Sequence, residues 1–462
     1  MTNKKCNPFE KGKLDLMLIN PSTDFKKDKR IIDSLKVNKE VPRQMAAQIG
    51  IGYLLSSAKK AGLKAEFIDM VAYETSVNNL LEHIREKEPS VIGFSSFTVQ
   101  VKSAGSIANR IKERFPYIKI GLGGPHATAM PKETLKEFKG FDFAVLGEGE
   151  KILPQLFNVR LSEIKGVVTR GKEDCSFDRI QNLDELSFPS WEKFDLSRYP
   201  GADPHFTNQE LIMSTSRGCP NNCVFCARPY GKNRINRSID SVIGEIERNI
   251  KDFGCEAINF CDETFTADMK YSEELFDELI RRGLNKKIRW SCETRVDTAT
   301  PELFKQMKNA GCYYIFFGFE SAEDNMLKRA GKGFTSEKIK ESIGWAKEAE
   351  IVCAGSFILG LPGETEETAK KSINLAKELD IYSTTFPIAV PFPGTIMRKM
   401  AQKNAFGLKI LSNNWDDYGK QDSGVMDSDT LSINRLRELQ KDAYNYNPKK
   451  EFPTHLLTKI RG

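Results

Sequence analysis

Much of what this sequence lacks is informative, because each absence removes a class of protein. Histidine is scarce: His83, His126, His205 and His455 are the whole complement in 462 residues. A finger-type zinc fold therefore has little to work with. No apolar run approaches the ~20 residues that cross a bilayer, and the longest, Cys312 to Phe319 (CYYIFFGF), falls far short. The N-terminal MTNKKCNPFEKGK is polar and has no apolar stretch of the signal-peptide kind, so a cytoplasmic protein without a transmembrane segment is expected. An excess of one charge is also missing. The 69 basic and 63 acidic residues leave +6, mixed along the chain, which gives no footprint for nucleic acid. With 40% hydrophobic and 29% charged residues, the composition excludes disordered and fibrous classes.

Cysteine, by contrast, is present ten times, three of them within eight residues. That crowding points to metal ligation in a reducing compartment rather than to a disulfide framework. The chain is too long for one ordinary core and should hold two or three domains.

The first 160 residues alternate short apolar runs with helical patterns, which predicts an α/β, doubly wound (Rossmann-like) domain with a parallel sheet covered on both faces. Candidate strands are Leu14–Asn20, Ala65–Asp69, Val91–Phe97, Ile118–Leu122 and Asp142–Leu146. Helical stretches such as Met45–Ala61 and Lys102–Phe115 lie between them. The strands run into polar or glycine-rich turns, among them those holding Asn20; Ser95, Ser96 and Thr98; Gly123, Gly124 and His126; and Gly147 and Glu148. Ligands bind beyond the carboxyl ends of such strands, and four such turns on one edge favour a cofactor over simple chain reversals.

Residues 161–205 read as a hairpin (Ile164–Arg170) followed by a loop-rich linker. From 206 to 395 a second alternation begins, with strands near Leu211–Ser216, Ala257–Cys261, Ile288–Glu293, Tyr313–Phe319, Cys353–Leu359 and Ser383–Val390. Six consecutive β/α units predict a partial (β/α)6 barrel of the TIM type, with its chemistry at the carboxyl ends of the strands. Residues 396–462 form a charged, α-rich C-terminal region with a helix near Ser432–Asn445.

The segment TSRGCPNNCVFCAR places Cys219, Cys223 and Cys226 in a C-x3-C-x2-C pattern directly after an apolar strand. Iron–sulfur cubanes are normally held by four thiolates. Three on one loop leave an iron open for a small chelating ligand, such as the amino and carboxylate groups of S-adenosylmethionine. The competing readings are a zinc site completed by histidine and a set of incidental buried thiols. No histidine follows Cys226 at a finger-like spacing.

Cys219, Cys223 and Cys226, with Phe225 before the last, resemble the signature of the radical S-adenosylmethionine superfamily. The resemblance implies a 4Fe-4S cluster on the three cysteines and a bound S-adenosylmethionine that yields a 5′-deoxyadenosyl radical. It also implies contacts to that cofactor at later strand ends. Phe225 flanks it; Asp262 and Glu263 take its amino group; Glu293 and Arg295 meet its carboxylate or ribose; Glu320 and Ser321 make a further polar contact; Ile358 and Gly360 flank the adenine. A sulfonium amino acid needs carboxylates for its ammonium and a guanidinium for its carboxylate.

With GGPHAT and VLGEGE in front of the barrel, nearly the whole chain looks like the cobalamin-binding class of these enzymes, which includes methyltransferases and the anaerobic magnesium-protoporphyrin monomethyl ester cyclase type. The resemblance assigns Asn20, Ser95, Ser96, Thr98, Gly123, Gly124, His126, Gly147 and Glu148 to cobalamin. One departure is that no D-x-H-x-x-G motif supplies a histidine to the cobalt, so His126 is read as a loop residue near the corrin or its tail. The resemblance implies methylation of an unactivated carbon in a small-molecule or lipid-like substrate, and an external electron donor such as flavodoxin or ferredoxin. Cyclase-like oxidation without methyl transfer stays open, as do a non-catalytic metal-binding interaction protein and a tRNA methylthiolating enzyme. The last would want an RNA-binding module and a second cluster that the sequence does not display. Cys292, Cys353, Tyr313 and Tyr314 are read as core rather than cavity, and Cys6, Cys175, Cys255, Cys261 and Cys312 as mostly buried free thiols.

Overall fold

A computed structural model describes residues 13–22, 46–172, 174–199, 210–419, 424–447 and 449–450. Cys6, His205 and His455 lie outside them. The chain divides into two compact units, Met1–Tyr199 and Pro200–Gly462.

In the first unit, the apolar runs that predict strands form one sheet: β1 (Leu14–Asn20), β2 (Ala65–Asp69), β3 (Pro89–Ser95), β4 (Lys119–Gly123), β5 (Phe143–Val145) and β6 (Val167–Thr169). Their order is β2-β1-β3-β4-β5-β6. The first five run parallel, joined by helices α1 (Ile49–Lys60), α2 (Val77–Lys87), α3 (Val101–Arg114), α4 (Pro125–Ala129) and α5 (Pro131–Glu137). Leu16 to Ile19, Val91, Ile92, Ile120 and Leu122 are buried, as expected of strands covered on both faces. The strand order reverses between β1 and β3, the topological switch point beside which ligands bind in such sheets.

One sequence expectation is corrected here. Ile164–Arg170 is not a hairpin folded on itself; it supplies the single strand β6, which pairs antiparallel with β5. The loops and short 3-10 turns between β5 and β6 bring the chain back to the sheet edge, so the strand pairs with β5 rather than with a second half of its own segment.

The second unit begins at β7 (Glu210–Met213). A short pair, β8 (Ser216–Arg217) and β9 (Ile235–Asn236), brackets the cysteine loop. Then come α6 (Ile239–Phe253), β10 (Ala257–Phe260), α7 (Met269–Arg281), β11 (Arg289–Thr294), α8 (Pro301–Asn309) and β12 (Cys312–Glu320). After α9 (Asp324–Ala330) and α10 (Ser336–Glu348) follow β13 (Val352–Phe357), α11 (Glu366–Leu379), β14 (Ser383–Thr385) and α12 (Ile396–Gln402). The strands stand in the order β14-β13-β12-β11-β10-β7, all neighbours parallel: six β/α units in chain order, an open barrel. The last strand is shorter than Ser383–Val390; beyond Thr385 only a bridge between Leu359 and Ile388 continues the pairing.

One turn chemistry recurs at five of the barrel's helix starts. Ser238, Asp268, Thr300, Thr335 and Thr365 each accept from the backbone N–H three residues on, capping the helix that follows. Each such cap contributes ~1 kcal/mol. The core holds Phe260, Phe265, Phe276 and Trp290 at centroid separations of 5.0–6.2 Å, and the Trp290 indole donates to Ala310 O at 2.8 Å.

Candidate functional site

The cysteine loop leaves β8 through Gly218, whose φ of 98° favours glycine. Cys219 is buried, and Cys223 and Cys226 are partly so. Val224 fastens the loop on both sides: its N–H donates to Ala330 O at 3.0 Å and its carbonyl accepts from Met397 N at 2.8 Å. Gly331, at the end of α9, fits under the loop because a Cβ there would stand 2.4 Å from Asn222 O.

Burial pushes the thiols of Cys223 and Cys226 up, Cys219 adds to both and Cys223 adds to Cys226, while Lys332 and Arg295 pull Cys223 back down. Among the described residues no three His, Cys, Asp or Glu side chains converge tightly enough to hold a single ion. A cubane, which takes one thiolate per iron, asks for no such convergence. Three thiols on one loop with buried cations beside them suit an anionic iron–sulfur cluster.

The carboxylates at the next strand end divide their work. Asp262, buried, accepts from Thr215 N at 3.0 Å, from Thr215 Oγ1 at 2.8 Å and from the Ser216 hydroxyl, so it organises the turn out of β7. Glu263 accepts from Gly218 N through Oε2 at 3.2 Å. Its Oε1 is buried with no hydrogen-bond partner among the described residues, and burial raises its pKa. An orphaned carboxylate oxygen beside the cysteine loop suits an ammonium group.

Arg295 follows β11. Its guanidinium grips Asp297 through two bonds of 2.9 and 2.8 Å, reaches the Lys332 carbonyl, and points Nη1 at Cys223 Sγ over 3.7 Å. Glu293, at the end of the same strand, is exposed. Glu320 stands at a register shift between β12 and β13 with φ 69°, and its buried carboxylate accepts from Lys332 Nζ at 3.0 Å. Ser321 turns away: its hydroxyl accepts from Glu323 N and lies 3.5 Å from Ser372 Oγ. Phe225 and Ile358 pack together against Met326, Ala330 and Leu361, forming an apolar wall behind the loop. Gly360, at φ 86°, donates to the buried Glu364 carboxylate.

Sequence reasoning missed Lys332 and Glu364. Lys332 is preceded and followed by glycines, both at φ 76°, and that Gly-Lys-Gly was the available signal. Cys261, expected to be buried, is exposed at the end of β10, whereas Cys255, Cys292, Cys312 and Cys353 are buried and Cys175 is partly so. Tyr313 and Val352 form a small core with Tyr314 and Tyr382.

In the first unit, the turns flagged by sequence are linked along one edge. Asn20 donates to Asp69 at 2.8 Å and accepts from Gln100 at 3.0 Å; Tyr199 also donates to Asp69, at 2.9 Å. His126 is not a loop residue: it lies in the short helix Pro125–Ala129, buried, with Nδ1 3.2 Å from Thr98 Oγ1. The helix starts there because Pro125 pre-sets its first turn. Thr128 joins Gly124 to Gly147, donating to one carbonyl and accepting from the other N–H. Ser95 and Gly123 are neighbours across the ends of β3 and β4. Ser96 carries a buried hydroxyl without a partner among the described residues, beside Phe97, which is 58% exposed. Glu148 faces the other way, accepting from Ile180 N at 2.8 Å, with Arg179 3.9 Å off. An orphaned hydroxyl and a bare ring at the switch point suit a broad, flat ligand.

Comparison with known proteins agrees with this layout. Residues 213–376 match the Radical SAM superfamily and residues 35–157 match the B12 binding domain. An uncharacterized methyltransferase of Pyrococcus horikoshii is 31% identical over 86% of this chain and 86% of its own. The chain belongs to the cobalamin-binding radical SAM enzymes. Its cofactors are accordingly a 4Fe-4S cluster, S-adenosylmethionine and cobalamin. Another relative of this radical SAM enzyme is the anaerobic magnesium-protoporphyrin IX monomethyl ester cyclase of Cereibacter sphaeroides, 29% identical over 75% of this chain and 58% of its own. The fold matches that of the radical S-adenosylmethionine methyltransferase TsrM from Kitasatospora setae, with a TM-score of 0.71 at 18% identity over 93% of this chain and 88% of the other. Among the described residues no helix is long and apolar enough to cross a membrane.

Proposed function

We propose that this enzyme methylates an unactivated carbon of a small-molecule or lipid-like substrate. The observation that carries the reading is the meeting of the three loop thiols with the unpartnered Glu263 Oε1 at one barrel mouth. Support also comes from the full-length relative, itself named a methyltransferase, and from further relatives named as methyltransferases or methylases of a nucleotide-linked phosphonate, a bacteriochlorophyllide and hopanoids.

In this reading Cys219, Cys223 and Cys226 hold the cluster. Glu263 accepts from the cofactor's ammonium, Glu293 takes a further polar contact, and the wall of Phe225 and Ile358 shelters the adenine from water. Asp262, Arg295, Glu320 and Ser321 act at one remove, fixing the turns and charges around that contact set. The edge from Asn20 through Ser95, Ser96, Thr98, Gly123, Gly124 and His126 to Gly147 cradles cobalamin, with Glu148 bracing the last turn. Together the bound groups supply a carbon radical and a transferable methyl group; the protein orients them and excludes water.

The test is anaerobic reconstitution with iron, sulfide and cobalamin, followed by product analysis from methyl-labelled S-adenosylmethionine. Both 5′-deoxyadenosine and S-adenosylhomocysteine are expected. 5′-Deoxyadenosine alone would favour the cyclase-like oxidation that the second relative suggests. Replacing the three loop cysteines with alanine should abolish both products.

A further inference from the structure

We propose that Asn259 and Ser291, on the inner face of the barrel sheet, select the substrate: a small, water-soluble molecule bearing an uncharged hydrogen-bonding group, such as an amide or hydroxyl, rather than a lipid. The proposal deepens the methylation reading above and rests on it.

The two faces of the sheet differ in what covers them. Phe260, Trp290 and Phe317 point to the helices, where Phe276 of α7 stacks on Trp290 at 5.6 Å and Phe304 of α8 meets Phe317 at 6.2 Å. Side chains alternate along a strand, so Asn259, Ser291 and Phe316, each one residue removed from these, face the barrel interior. Accessibility follows the same period. The partly exposed residues of β7, β10 and β12 are Ile212, Asn259, Tyr314, Phe316 and Gly318, all on the inner face.

Register aligns this face level by level. Asn259 lies beside Ser291, and Ser291 beside Tyr314. One level nearer the strand ends, Glu293 lies beside Phe316, and Phe316 beside Ala354. Glu293 and Cys261, the next inner-face residues above Ser291 and Asn259, are both exposed, so the lower pair is reached from the same mouth that holds the cysteine loop.

Barrel interiors of this kind are usually filled by branched apolar side chains. Here an amide and a hydroxyl stand side by side, and neither has a hydrogen-bond partner among the described residues. Such groups are satisfied by water until a ligand displaces it. A hydrocarbon seated on this wall would strand both, whereas an amide or hydroxyl of the substrate replaces the water bond for bond. Phe316 and Ala354 give the pocket an apolar wall for the skeleton that carries the group. A site arranged to bond a neutral donor or acceptor rejects the analogue lacking it by about four orders of magnitude, which makes this pair the specificity determinant.

The experiment uses the anaerobically reconstituted holoenzyme with methyl-labelled S-adenosylmethionine and two extracts of the cells that make the protein, one in aqueous methanol and one in chloroform. Label should enter a product in the aqueous extract; label in the chloroform extract would overturn the proposal. With the substrate so identified, Asn259→Leu and Ser291→Ala should each raise KM about tenfold, the loss of one hydrogen bond, with kcat changed less and the cluster spectrum unaltered. Unchanged KM in both variants would also overturn it. Alkylation of Cys261 by N-ethylmaleimide, read by peptide mass spectrometry, gives a measure independent of turnover. The aqueous extract should slow it, and an unchanged rate would put the substrate elsewhere and defeat the proposal. No label in either extract would remove the methylation reading itself and the proposal with it, a failure seen in the unaltered protein before any variant is made.

Discussion

Arg295 Nη1 points at the sulfur of Cys223 from 3.7 Å while the rest of its guanidinium is locked by Asp297 and the Lys332 carbonyl. Where Cys223 holds the cluster as proposed, a held cation facing its sulfur stabilises the more negative, reduced form, because potentials rise with hydrogen bonds to sulfur and with nearby positive charge. Arg295→Gln should therefore still assemble a cluster but move its potential negative by about 60 mV, a tenfold change in a one-electron equilibrium. An EPR-monitored redox titration reads this directly. An unmoved potential would mean that Arg295 serves only to hold Asp297 and the 332 turn.

Lys332 and Glu320 form a buried pair at 3.0 Å, each side chain almost inaccessible to water. Removing one member leaves an uncompensated charge, which costs about 3–5 kcal/mol, whereas removing both costs far less. Urea unfolding of Lys332→Met should show the large loss. The double variant with Glu320→Gln should recover most of it. If the two losses simply add, the pair is not coupled.

These two sites also show where sequence reading ends. The places of most strands and helices follow from local pattern, since apolar period acts within a few residues, and the alternation of strand with helix implies a parallel sheet. Cys219, Cys223 and Cys226 stood out as candidates because their spacing is itself local. The division of labour between Asp262 and Glu263 was not legible: adjacent carboxylates look alike until Thr215 and Ser216, 46 or more residues away, claim one of them. Lys332 escaped notice for the same reason, since it meets its partner Glu320 only once the chain has turned back through α9 to the end of β12. The resemblance names Ser321 with Glu320, yet Ser321 lies just past the end of β12 and its hydroxyl accepts from Glu323 N.

Gly124 offers a test of the cobalamin edge. Its φ is 97°, and a Cβ there would lie 2.7 Å from Ser96 O, a backbone atom that cannot swing aside. Gly124→Ala should lose roughly 1–3 kcal/mol from the backbone conformation alone, since φ 97° with ψ −177° is a region essentially reserved for glycine, with the clash in addition, and should displace the turn that carries the unpartnered Ser96 hydroxyl. Cobalamin binding, followed by equilibrium dialysis or by absorbance titration, should weaken by more than the stability loss explains. The cluster spectrum of the second unit should not change.

Glu364 predicts a pH dependence whose sign runs against the common carboxylate case. It is buried with Oε1 unpartnered, it accepts from Gly360 N, and burial pushes its pKa from 4.5 to about 8. A folded-state value raised above the unfolded one means that the native protein keeps a proton which the unfolded chain gives up. Its favourable contribution is therefore complete below about pH 4.5 and is lost as pH rises toward 8, at about 1.36 kcal/mol per unit. Glu364→Gln mimics the protonated form at every pH. The variant should match the parent near pH 4 and exceed it increasingly above, the gap widening by roughly 2.5 kcal/mol between pH 5.5 and 7.5. Parallel urea titrations across that range measure the gap. A constant difference would show that Glu364 is ionised in the native state, with a cation or water reaching its second oxygen.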